Sequence, residues 1–381
     1  MPFSQLGLPI SIINLLDYHR FEKPFPIQEQ IIPKVIAGKD VLGIAKTGSG
    51  KTASYVLPLL TNLQQSKKKE NRHVSVLVLV PTRELASQVD QVFKTFGPGL
   101  PKRIKSLAVY GGVSINTQMQ SLQGVDVLIA TPGRLIELVE KNAVSLKSID
   151  ALVLDEADKM LNQGFKEELN AILSKLPTKR QNLLFSATLS EELADINRLV
   201  LNEPEVVKIE AKESDVSEIV QKAFLIDAKK KGPLLRKIIK DNQYDQLLVF
   251  VASGYQADHV ADKLRKNGIE AKAIHGKKSQ GARTETLILF KSKRIQVLVA
   301  TDLLGRGVDI QGLPCVINYE LPRSPKDYIH RIGRTGRAGL TGEAISFVAP
   351  EDEHHFKVIQ KKMKRWVDQV DGEAFLSAET Q

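Results

Sequence analysis

The chain has 381 residues, enough for two compact domains, and 54 Lys and Arg residues against 44 Asp and Glu residues give a formal net charge of +10. Its one cysteine, Cys315, excludes an intramolecular disulfide and a cysteine-cluster metal site, and we expect it to be a buried strand residue. Met1 begins no signal-peptide pattern and no apolar run reaches the roughly 20 residues that span a bilayer, so we expect a cytoplasmic protein without a membrane partner.

Short apolar and β-branched runs alternate with helical stretches in the first half, which indicates an α/β fold with a mostly parallel sheet flanked by helices. Ligands of such sheets bind where the strands end, and each run here is followed by small, polar or charged residues. Function is therefore expected along that edge. The runs are residues 41–44, 74–80, 125–130, 149–154 and 182–185.

A glycine-rich segment follows the first apolar run and is close to a Walker A loop, with alanine in place of the usual first glycine. Backbone N–H groups and the following helix N-terminus cradle phosphates in such loops. Lys51 is predicted to reach the β- and γ-phosphates and the Thr52 hydroxyl to bind Mg²⁺. A chance Gly/Ser turn is the alternative. The predicted nucleotide-binding residues are Ala45, Lys46, Thr47, Gly48, Ser49, Gly50, Lys51 and Thr52.

An acidic segment, Asp155-Glu156-Ala157-Asp158, follows the predicted strand at 149–154. Asp155 is predicted to bind Mg²⁺, and Glu156 to orient or deprotonate a water molecule. Alone, four such residues could form an acidic loop. Together with the phosphate loop they predict the two halves of an ATPase site.

A second series of strands and helices begins after Pro204 and a polar stretch without apolar periodicity. We therefore predict two domains, residues 1–205 and 218–381, joined by a linker at 206–217. The second series has an amphipathic helix at 255–267 and strands at 247–251, 295–300, 316–319 and 344–348.

Near the end of the chain, Phe356, Ile359, Met363 and Trp366 recur at spacings of three and four among several lysines. This spacing is typical of one apolar helix face. We predict that the four side chains pack against the second domain, in preference to forming a separate RNA-binding arm.

The motifs together resemble those of the DEAD-box ATP-dependent RNA helicases of helicase superfamily 2, from Phe3 to about Gly339. The letters of residues 155–158 are those of the family name. The resemblance implies two tandem RecA-like domains, each a mostly parallel sheet flanked by helices, in a minimal core. It implies ATP and Mg²⁺ as cofactors and RNA as partner, either single-stranded or a short duplex, bound through its backbone with little sequence specificity.

Phe21 and Pro26-Ile27-Gln28 resemble the Q motif of the family, and Phe3 lies where that motif has an isolated phenylalanine. The resemblance implies that Phe21 stacks on adenine and that Gln28 hydrogen-bonds the edge of the base. An amide can pair there as donor and acceptor, which is a physical reason for ATP over GTP. Without the resemblance, Gln28 would be read as a surface residue beside a proline.

Three segments that follow strands of the first half match RNA-contact motifs of the family. Backbone amides with Thr and Arg side chains hold phosphates in such segments, and contacts to 2′-hydroxyls distinguish RNA from DNA. Ordinary turns and helix N-caps are the alternatives. The implied RNA-contact residues are Pro81, Thr82, Arg83, Gly111, Gly112, Thr131, Pro132, Gly133 and Arg134.

Two motifs of the second half resemble motifs V and VI of the family. Within residues 300–309 they imply an RNA contact for Thr301 and a ribose contact for Asp309. Residues 330–337 imply that Arg334 and Arg337 are arginine fingers that stabilise charge on the transferred phosphoryl group. A solvated arginine cluster is the alternative.

Further residues are carried over from the same resemblance. Gln280 and Arg283 lie in an RNA-contact segment, in which Lys277 and Lys278 replace the usual acidic and apolar pair. Ser186-Ala187-Thr188 resembles the motif that links ATP hydrolysis to strand separation, and its hydroxyls are expected to bond Asp158. The implied interdomain coupling residues are Asp158, Ser186, Thr188 and His330.

The predicted function is RNA-stimulated ATP hydrolysis that locally unwinds short RNA duplexes or remodels RNA–protein complexes. A base step of DNA is worth about 1.4 kcal/mol, so opening a short duplex is more credible than long tracking. We expect a monomer in which ATP and RNA each contact both domains, and ribonucleoprotein partners stay open. An ATP-gated RNA clamp with little unwinding and a superfamily 2 DNA translocase are the alternatives.

Overall fold

The computed structural model describes residues 1–45, 48–66, 73–188, 195–197, 200–209, 219–302, 310, 312–336 and 342–378. Two compact units, Met1–Ala211 and Lys212–Gln381, divide the chain. Within the described residues each unit contains a seven-stranded sheet in which all strand pairs are parallel. The predicted α/β class with two parallel sheets is therefore confirmed.

The first unit alternates strands and helices along the chain, and its strand order across the sheet is β3-β4-β2-β5-β6-β1-β7. The strands are β1 (Val41–Ile44), β2 (Val76–Leu79), β3 (Ser106–Val109), β4 (Val127–Ala130), β5 (Ala151–Leu154), β6 (Gln181–Ser186) and β7 (Glu205–Lys208). The helices are α1 (Ile10–Tyr18), α2 (Pro26–Ile36), α3 (Lys51–Gln65), α4 (Arg83–Phe96), α5 (Ile115–Ser121), α6 (Pro132–Glu140), α7 (Ala157–Asn162) and α8 (Lys166–Leu173).

Successive side chains of a strand point to opposite faces, so a sheet covered on both faces needs continuous apolar strands. In β2, Val76 and Val78 join the apolar cluster that contains α3 and α4, whereas Leu77 and Leu79 join the cluster that contains α6 and α8. All four side chains are buried. Helices therefore cover both faces, and the strand ends are left for ligands.

The strand that leads into the phosphate loop, β1, lies inside the sheet between strands from far along the chain. Val41 is in register with both Leu183 of β6 and Glu205 of β7. Just before β1, the Asp40 carboxylate accepts hydrogen bonds from Asn182 N at 2.7 Å and Asn202 N at 2.9 Å. These contacts fix the strand from both sides.

The second unit repeats the architecture with strand order β10-β11-β9-β12-β13-β8-β14. Its strands are β8 (Val220–Leu225), β9 (Leu247–Phe250), β10 (Ala271–Ile274), β11 (Val297–Ala300), β12 (Cys315–Asn318), β13 (Glu343–Val348) and β14 (Asp368–Asp371). Its helices are α9 (Lys231–Asn242), α10 (Gly254–Arg265), α11 (Gln280–Lys291), α12 (Pro325–Ile332), α13 (Glu353–Met363) and α14 (Gly372–Ser377). Cys315 is buried in β12, as predicted, and burial raises the pKa of its thiol.

The structure differs from the sequence prediction at the polar strands and at the linker. Residues 206–208, assigned to the linker, lie in β7, a strand whose Val207 alone is buried. The rest of the predicted linker, except Ile209, lies outside the described residues.

No helix among the described residues is long and apolar enough to cross a membrane.

The apolar residues predicted at the end of the chain do not behave alike. Phe356 and Ile359 of α13 are buried and Met363 is half-buried, as predicted. Trp366 is 73% exposed, so its predicted packing is wrong. The helix ends at Met363, and Lys364 has a left-handed backbone that turns Trp366 out of the apolar face.

Candidate functional site

The phosphate loop occupies the turn between β1 and α3, at the carboxyl edge of the first sheet. Gly48 and Gly50 have φ values of +82° and +86°, which favour glycine because a Cβ is strained there. Helix α3 begins at Lys51, so its first N–H groups face the edge where a phosphate would bind. The predicted phosphate contacts Lys46 and Thr47 lie outside the described residues.

Lys51 lies in a buried position beside the acidic segment. Its Nζ donates a hydrogen bond to the Ala45 carbonyl at 2.7 Å, which holds the side chain across the loop. Burial lowers the pKa of Lys51, and the carboxylates of Asp155, Glu156 and Asp158 oppose that shift. The ammonium therefore lies between the loop and the carboxylates, where a bound phosphate could replace the carbonyl as its partner.

Asp155 is held by two donors at the end of β5. The Tyr55 hydroxyl donates to Asp155 Oδ2 at 2.9 Å, and Glu156 N donates to Asp155 Oδ1 at 2.9 Å. The Thr52 side chain also interacts with the Tyr55 hydroxyl and opposes the rise in the pKa of Tyr55 that burial causes. Burial raises the pKa of Asp155, because the ionised carboxylate has lost its water.

These residues fit a magnesium ion. Mg²⁺ is usually held by one or two protein oxygens plus waters and substrate phosphates, which Asp155 and Thr52 can supply. The described residues contain no group of three or more His, Cys, Asp or Glu side chains suited to a metal.

The Tyr55→Phe variant is expected to lower ATP turnover or raise the Mg²⁺ requirement by about 10- to 100-fold, as is common when a partner of a metal ligand is lost. The substitution removes only the hydroxyl that orients Asp155. The ring keeps its contact with the ring of Phe185, with centroids 5.1 Å apart. Turnover over a Mg²⁺ series measures this. If both the Mg²⁺ dependence of turnover and the melting temperature were unchanged, the hydroxyl would not orient Asp155.

One carboxylate oxygen of Glu156 accepts a hydrogen bond, and the other accepts none from the described residues. Lys159 Nζ donates to Oε1 at 2.7 Å, whereas Oε2 is buried without a hydrogen-bond partner among the described residues. The backbone at Glu156 is left-handed, with φ of +53°, an uncommon conformation at the turn between β5 and α7. A buried carboxylate oxygen without a donor is suited to accept a proton from water.

The segment 186–188 is linked directly to the acidic segment. Thr188 Oγ1 donates to Asp158 Oδ2 at 2.9 Å, the contact that was expected across the strand ends. Ser186 differs from the expectation, because its Oγ donates to the Thr188 carbonyl at 2.8 Å instead. Asp158 is therefore hydrogen-bonded to the segment that follows β6.

Gln28 occupies a buried position between α2 and the phosphate loop. Its Oε1 accepts from Phe25 N at 2.9 Å and its Nε2 donates to the Gly50 carbonyl at 3.1 Å. A Cβ built at Gly50 would lie 2.5 Å from Gln28 Nε2, which is a second reason for glycine there. The reading as a surface residue is wrong, since Gln28 is 2% exposed. Contact with adenine stays a prediction.

Phe21, the predicted stacking partner of adenine, is 37% exposed and packs edge-to-face on Phe96 with ring centroids 5.7 Å apart. The ring is thus held on one side while part of it stays exposed. Phe3 is buried in the apolar cluster of the first unit, so its role is in packing.

Two predicted RNA-contact segments of the first unit touch each other. Thr82 caps α4 by accepting from Leu85 N at 3.3 Å, and Arg83 follows at the first helical position. A Cβ built at Gly112 would lie 1.8 Å from Arg83 Nη1, so a larger residue there would displace the guanidinium from this position. Gly111 lies beside the same guanidinium. The structure therefore brings Arg83 and the glycine pair together at the carboxyl edge.

Arg134 forms several hydrogen bonds within the first unit. It is buried and donates to Glu137 Oε2 at 2.9 Å, Gln118 Oε1 at 3.0 Å and the Val113 carbonyl at 3.1 Å. Gln118 in turn donates to the Tyr110 carbonyl at 3.0 Å. These bonds clamp the loop that holds the glycine pair, and the phosphate contact of Arg134 stays a prediction. Thr131 is also buried, and Pro132 begins α6.

Two matched variants separate these arginines. Arg134→Ala is expected to lower the free energy of unfolding by about 2 to 4 kcal/mol, because buried acceptors lose their donor. Arg83→Ala is expected to leave stability within about 0.5 kcal/mol and to lower the salt slope of RNA binding by about 0.7. Urea unfolding and RNA titrations over a salt series measure both. Equal destabilisation by both variants would contradict this assignment.

The second unit contains a buried ion pair at the carboxyl end of β11. Arg331 of α12 is 1% exposed and donates through Nε and Nη2 to Asp302 at 2.5 and 2.8 Å. Its Nη1 donates to the Glu320 carbonyl at 2.7 Å, and the guanidinium lies 4.9 Å from the centre of the Phe250 ring. This pair ties the residue after Thr301 to the helix that carries the predicted motif VI.

The predicted site residues of the second unit are only partly described. Gln280 and Arg283 are buried in α11, and Arg334 is buried after α12, where its carbonyl accepts from Leu313 N at 3.2 Å. Thr301 and His330 are half-buried. Asp309 and Arg337 lie outside the described residues. That Arg334, Arg337 and Asp309 act on the nucleotide stays a prediction.

Sequence reasoning missed four residues that shape the site. Tyr55 lies in the middle of α3, Lys159 directly follows the acidic segment, Gln118 lies in a polar helix, and Arg331 lies among other arginines. Only Arg331 was indicated by the sequence, as one arginine of the cluster at residues 330–337, but no role was assigned to it. The other three are recognised only from their hydrogen bonds, which join Tyr55 to Asp155, Lys159 to Glu156, and Gln118 to Arg134 and the Tyr110 carbonyl.

The chain is similar to known proteins in sequence and in structure. The model described as DEAD/DEAH box helicase matches residues 25–196, and the helicase conserved C-terminal domain matches residues 230–339. The chain is 39% identical to the DEAD-box ATP-dependent RNA helicase CshA of Geobacillus kaustophilus, over 97% of this chain and 78% of the relative. It is 37% identical to CshA of Bacillus subtilis, over 97% and 74%. The structure of S. cerevisiae Dbp5 bound to RNA and ADP BeF3 is similar with a TM-score of 0.84 and 28% identity, over 98% of this chain and 96% of that chain.

Proposed function

The chain belongs to the DEAD/DEAH box helicase family, and from this membership we propose that it hydrolyses ATP to open short RNA duplexes locally. It is an ATP-dependent RNA helicase with RecA-like units, as its relatives are by name and by structure. The observation that carries the proposal is the cluster of Lys51, Asp155, Glu156 and Thr188 at one sheet edge, each held by a hydrogen bond to a neighbouring residue.

The residues of this edge have separate roles in ATP hydrolysis. Lys51 leaves the Ala45 carbonyl to bind phosphate oxygens, and the N-terminus of α3 adds its N–H groups. Glu156 Oε2 accepts the proton of the attacking water, while Lys159 holds the other oxygen in place. Asp158 and Thr188 transmit the change to the end of β6. A Mg²⁺ ion held by Asp155 and Thr52 would neutralise phosphate charge when bound.

Several finer points belong to the proposal. We expect the chain to act as a monomer in the cytoplasm, to contact RNA with little sequence specificity, and to act also on ribonucleoprotein complexes. The net charge of +10 supports a polyanionic partner without requiring one. Gln28 and Phe21 are expected to select adenine.

The deciding experiment measures ATP turnover and strand displacement on one short RNA duplex, its single strands and DNA of the same sequence, over a salt series. RNA-stimulated turnover together with displacement supports the helicase. Turnover or ATP-dependent binding without displacement would favour an RNA clamp. Equal stimulation by DNA would favour a DNA translocase. Turnover that is independent of any nucleic acid would refute the proposal.

A further inference from the structure

The end of α13 presents a large aromatic side chain beside several lysines. Trp366 is 73% exposed, and Lys357, Lys361, Lys362 and Lys364 are exposed too. Lys357 and Lys361 are spaced by four residues, which places them on one side of the helix, and Lys364 follows the end of the helix. We call these five residues the α13 surface.

The α13 surface rests on an ordered turn. Lys364 N donates to the Lys361 carbonyl and Arg365 N to the Gln360 carbonyl, both at 3.2 Å. Gln360 Oε1 accepts from Val367 N at 2.8 Å, and Val367 is buried. The backbone on both sides of Trp366 is therefore anchored while the indole points outward. Little ordering of the backbone would be needed for a ligand to stack there.

The charge of the α13 surface is not neutralised within the described part of the chain. None of its four lysines has an ion-pair partner among the described residues. Lysines near a helix C-terminus stabilise its carbonyl end, but that effect is worth only about 0.3 to 1 kcal/mol each and needs no exposed tryptophan. Exposed tryptophan beside unpaired lysines matches a ligand with both phosphates and flat apolar rings.

The α13 surface lies away from the predicted catalytic edge of the second unit. Trp366 comes two residues before β14, and Asp368 of β14 is in register with Lys222 near the start of β8. Since the strands are parallel, Trp366 lies at their amino ends, whereas Thr301 follows the carboxyl end of β11. The six residues of β8 span roughly 20 Å, which separates the two edges.

We propose that the α13 surface binds an unpaired segment of RNA, with a base stacked on Trp366 and phosphates paired with the lysines, independently of ATP. The proposal rests on the proposed RNA helicase function and adds a second RNA contact to it. Such a contact holds the substrate on the enzyme when the catalytic edge releases it. It raises the effective concentration of a neighbouring duplex at that edge.

RNA fits the α13 surface better than the other polyanions. An anionic membrane would need a broad apolar face, but only Trp366 and the 42% exposed Val358 are large exposed apolar residues on this helix and turn. An acidic peptide would satisfy the lysines and leave the indole unused. Unpaired RNA supplies phosphates and exposed rings together.

Trp366 is the one tryptophan of the chain, so its fluorescence reports on this surface alone. Oligouridylate of about ten nucleotides, titrated into the full chain without nucleotide, is expected to quench it saturably. By anisotropy of labelled RNA, Trp366→Ala is expected to weaken this binding about 5- to 100-fold. The triple variant K361A/K362A/K364A is expected to lower the salt slope by about 2.

The matched control is the triple variant K141A/K166A/K175A, which removes the same charge from exposed sites of the first unit. It is expected to leave the quench in place. Saturated RNA binding without any change in tryptophan emission would overturn the proposal, as would equal losses in both triple variants. Quenching by polyglutamate or by anionic vesicles in place of RNA would overturn it in favour of a protein or a membrane. Because no ATP is present, these outcomes are distinct from a failure of RNA-stimulated turnover.

Discussion

Glu156→Gln is expected to bind ATP and RNA but to hydrolyse ATP about 10²- to 10⁴-fold more slowly than the native chain, the usual contribution of a general base. Glutamine is isosteric with glutamate, and its Oε1 can still accept the hydrogen bond from Lys159. Its amide nitrogen cannot accept a proton at the position of Oε2, which is buried without a partner among the described residues. Single-turnover hydrolysis with saturating RNA measures the chemical step.

The control for Glu156→Gln is Glu167→Gln, which makes the same change at an exposed position of α8. It should match the native chain in turnover. Thermal unfolding of both variants tests whether the fold is intact. Full turnover in Glu156→Gln would remove Glu156 from its role as base, whereas loss of ATP binding would mean that the residue acts on nucleotide affinity.

Asp302→Ala is expected to lower the free energy of unfolding of the second unit by about 3 kcal/mol, because it leaves the buried Arg331 guanidinium without its anionic partner. The value is at the low end for buried pairs, since the Asp302 side chain is 36% exposed and water can reach it. Calorimetry should show the transition of the second unit shifted down by about 10 °C.

The control for Asp302→Ala lies in the same unit. Asp245 forms an ion pair with Lys293 at 3.3 Å, with side chains 77% and 64% exposed. Asp245→Ala is expected to change stability by less than about 1 kcal/mol, as exposed pairs do. If both variants were equally stable, the Arg331 pair would not hold α12 against the end of β11.

The apolar strands were predictable from sequence, whereas the polar ones were not. The interior strands β2, β4, β5 and β9 are buried on both faces and therefore read as continuous apolar runs. Edge strands such as β7 and β14 need no such run, because one side of their backbone faces solvent. Residues 206–208 were thus assigned to a linker, since their mixed pattern resembles one.

The candidate site was predictable where a motif carries its own chemistry. The contact between Thr188 and Asp158 was expected from the resemblance and is present. Arg134 and Gln28 show the limit, since a sequence motif names residue types but does not say whether a polar side chain faces a ligand or the protein itself. Both are buried and bonded to neighbouring segments. The packing of Trp366 was predicted wrongly because the apolar spacing in the sequence continues past Met363, where the helix ends.

The interior position of β1 has a consequence for the order in which the protein forms during synthesis. Val41 can gain neighbours on both sides only after Leu183 and Glu205 have been synthesised. A ribosome adds roughly 5 to 20 residues per second, so that interval lasts about 10 to 30 seconds. The second unit repeats the pattern, because Lys222 of β8 pairs with Ile345 and then with Asp368 near the end of the chain. In a nascent chain the phosphate loop is thus supported only once the whole first unit has emerged.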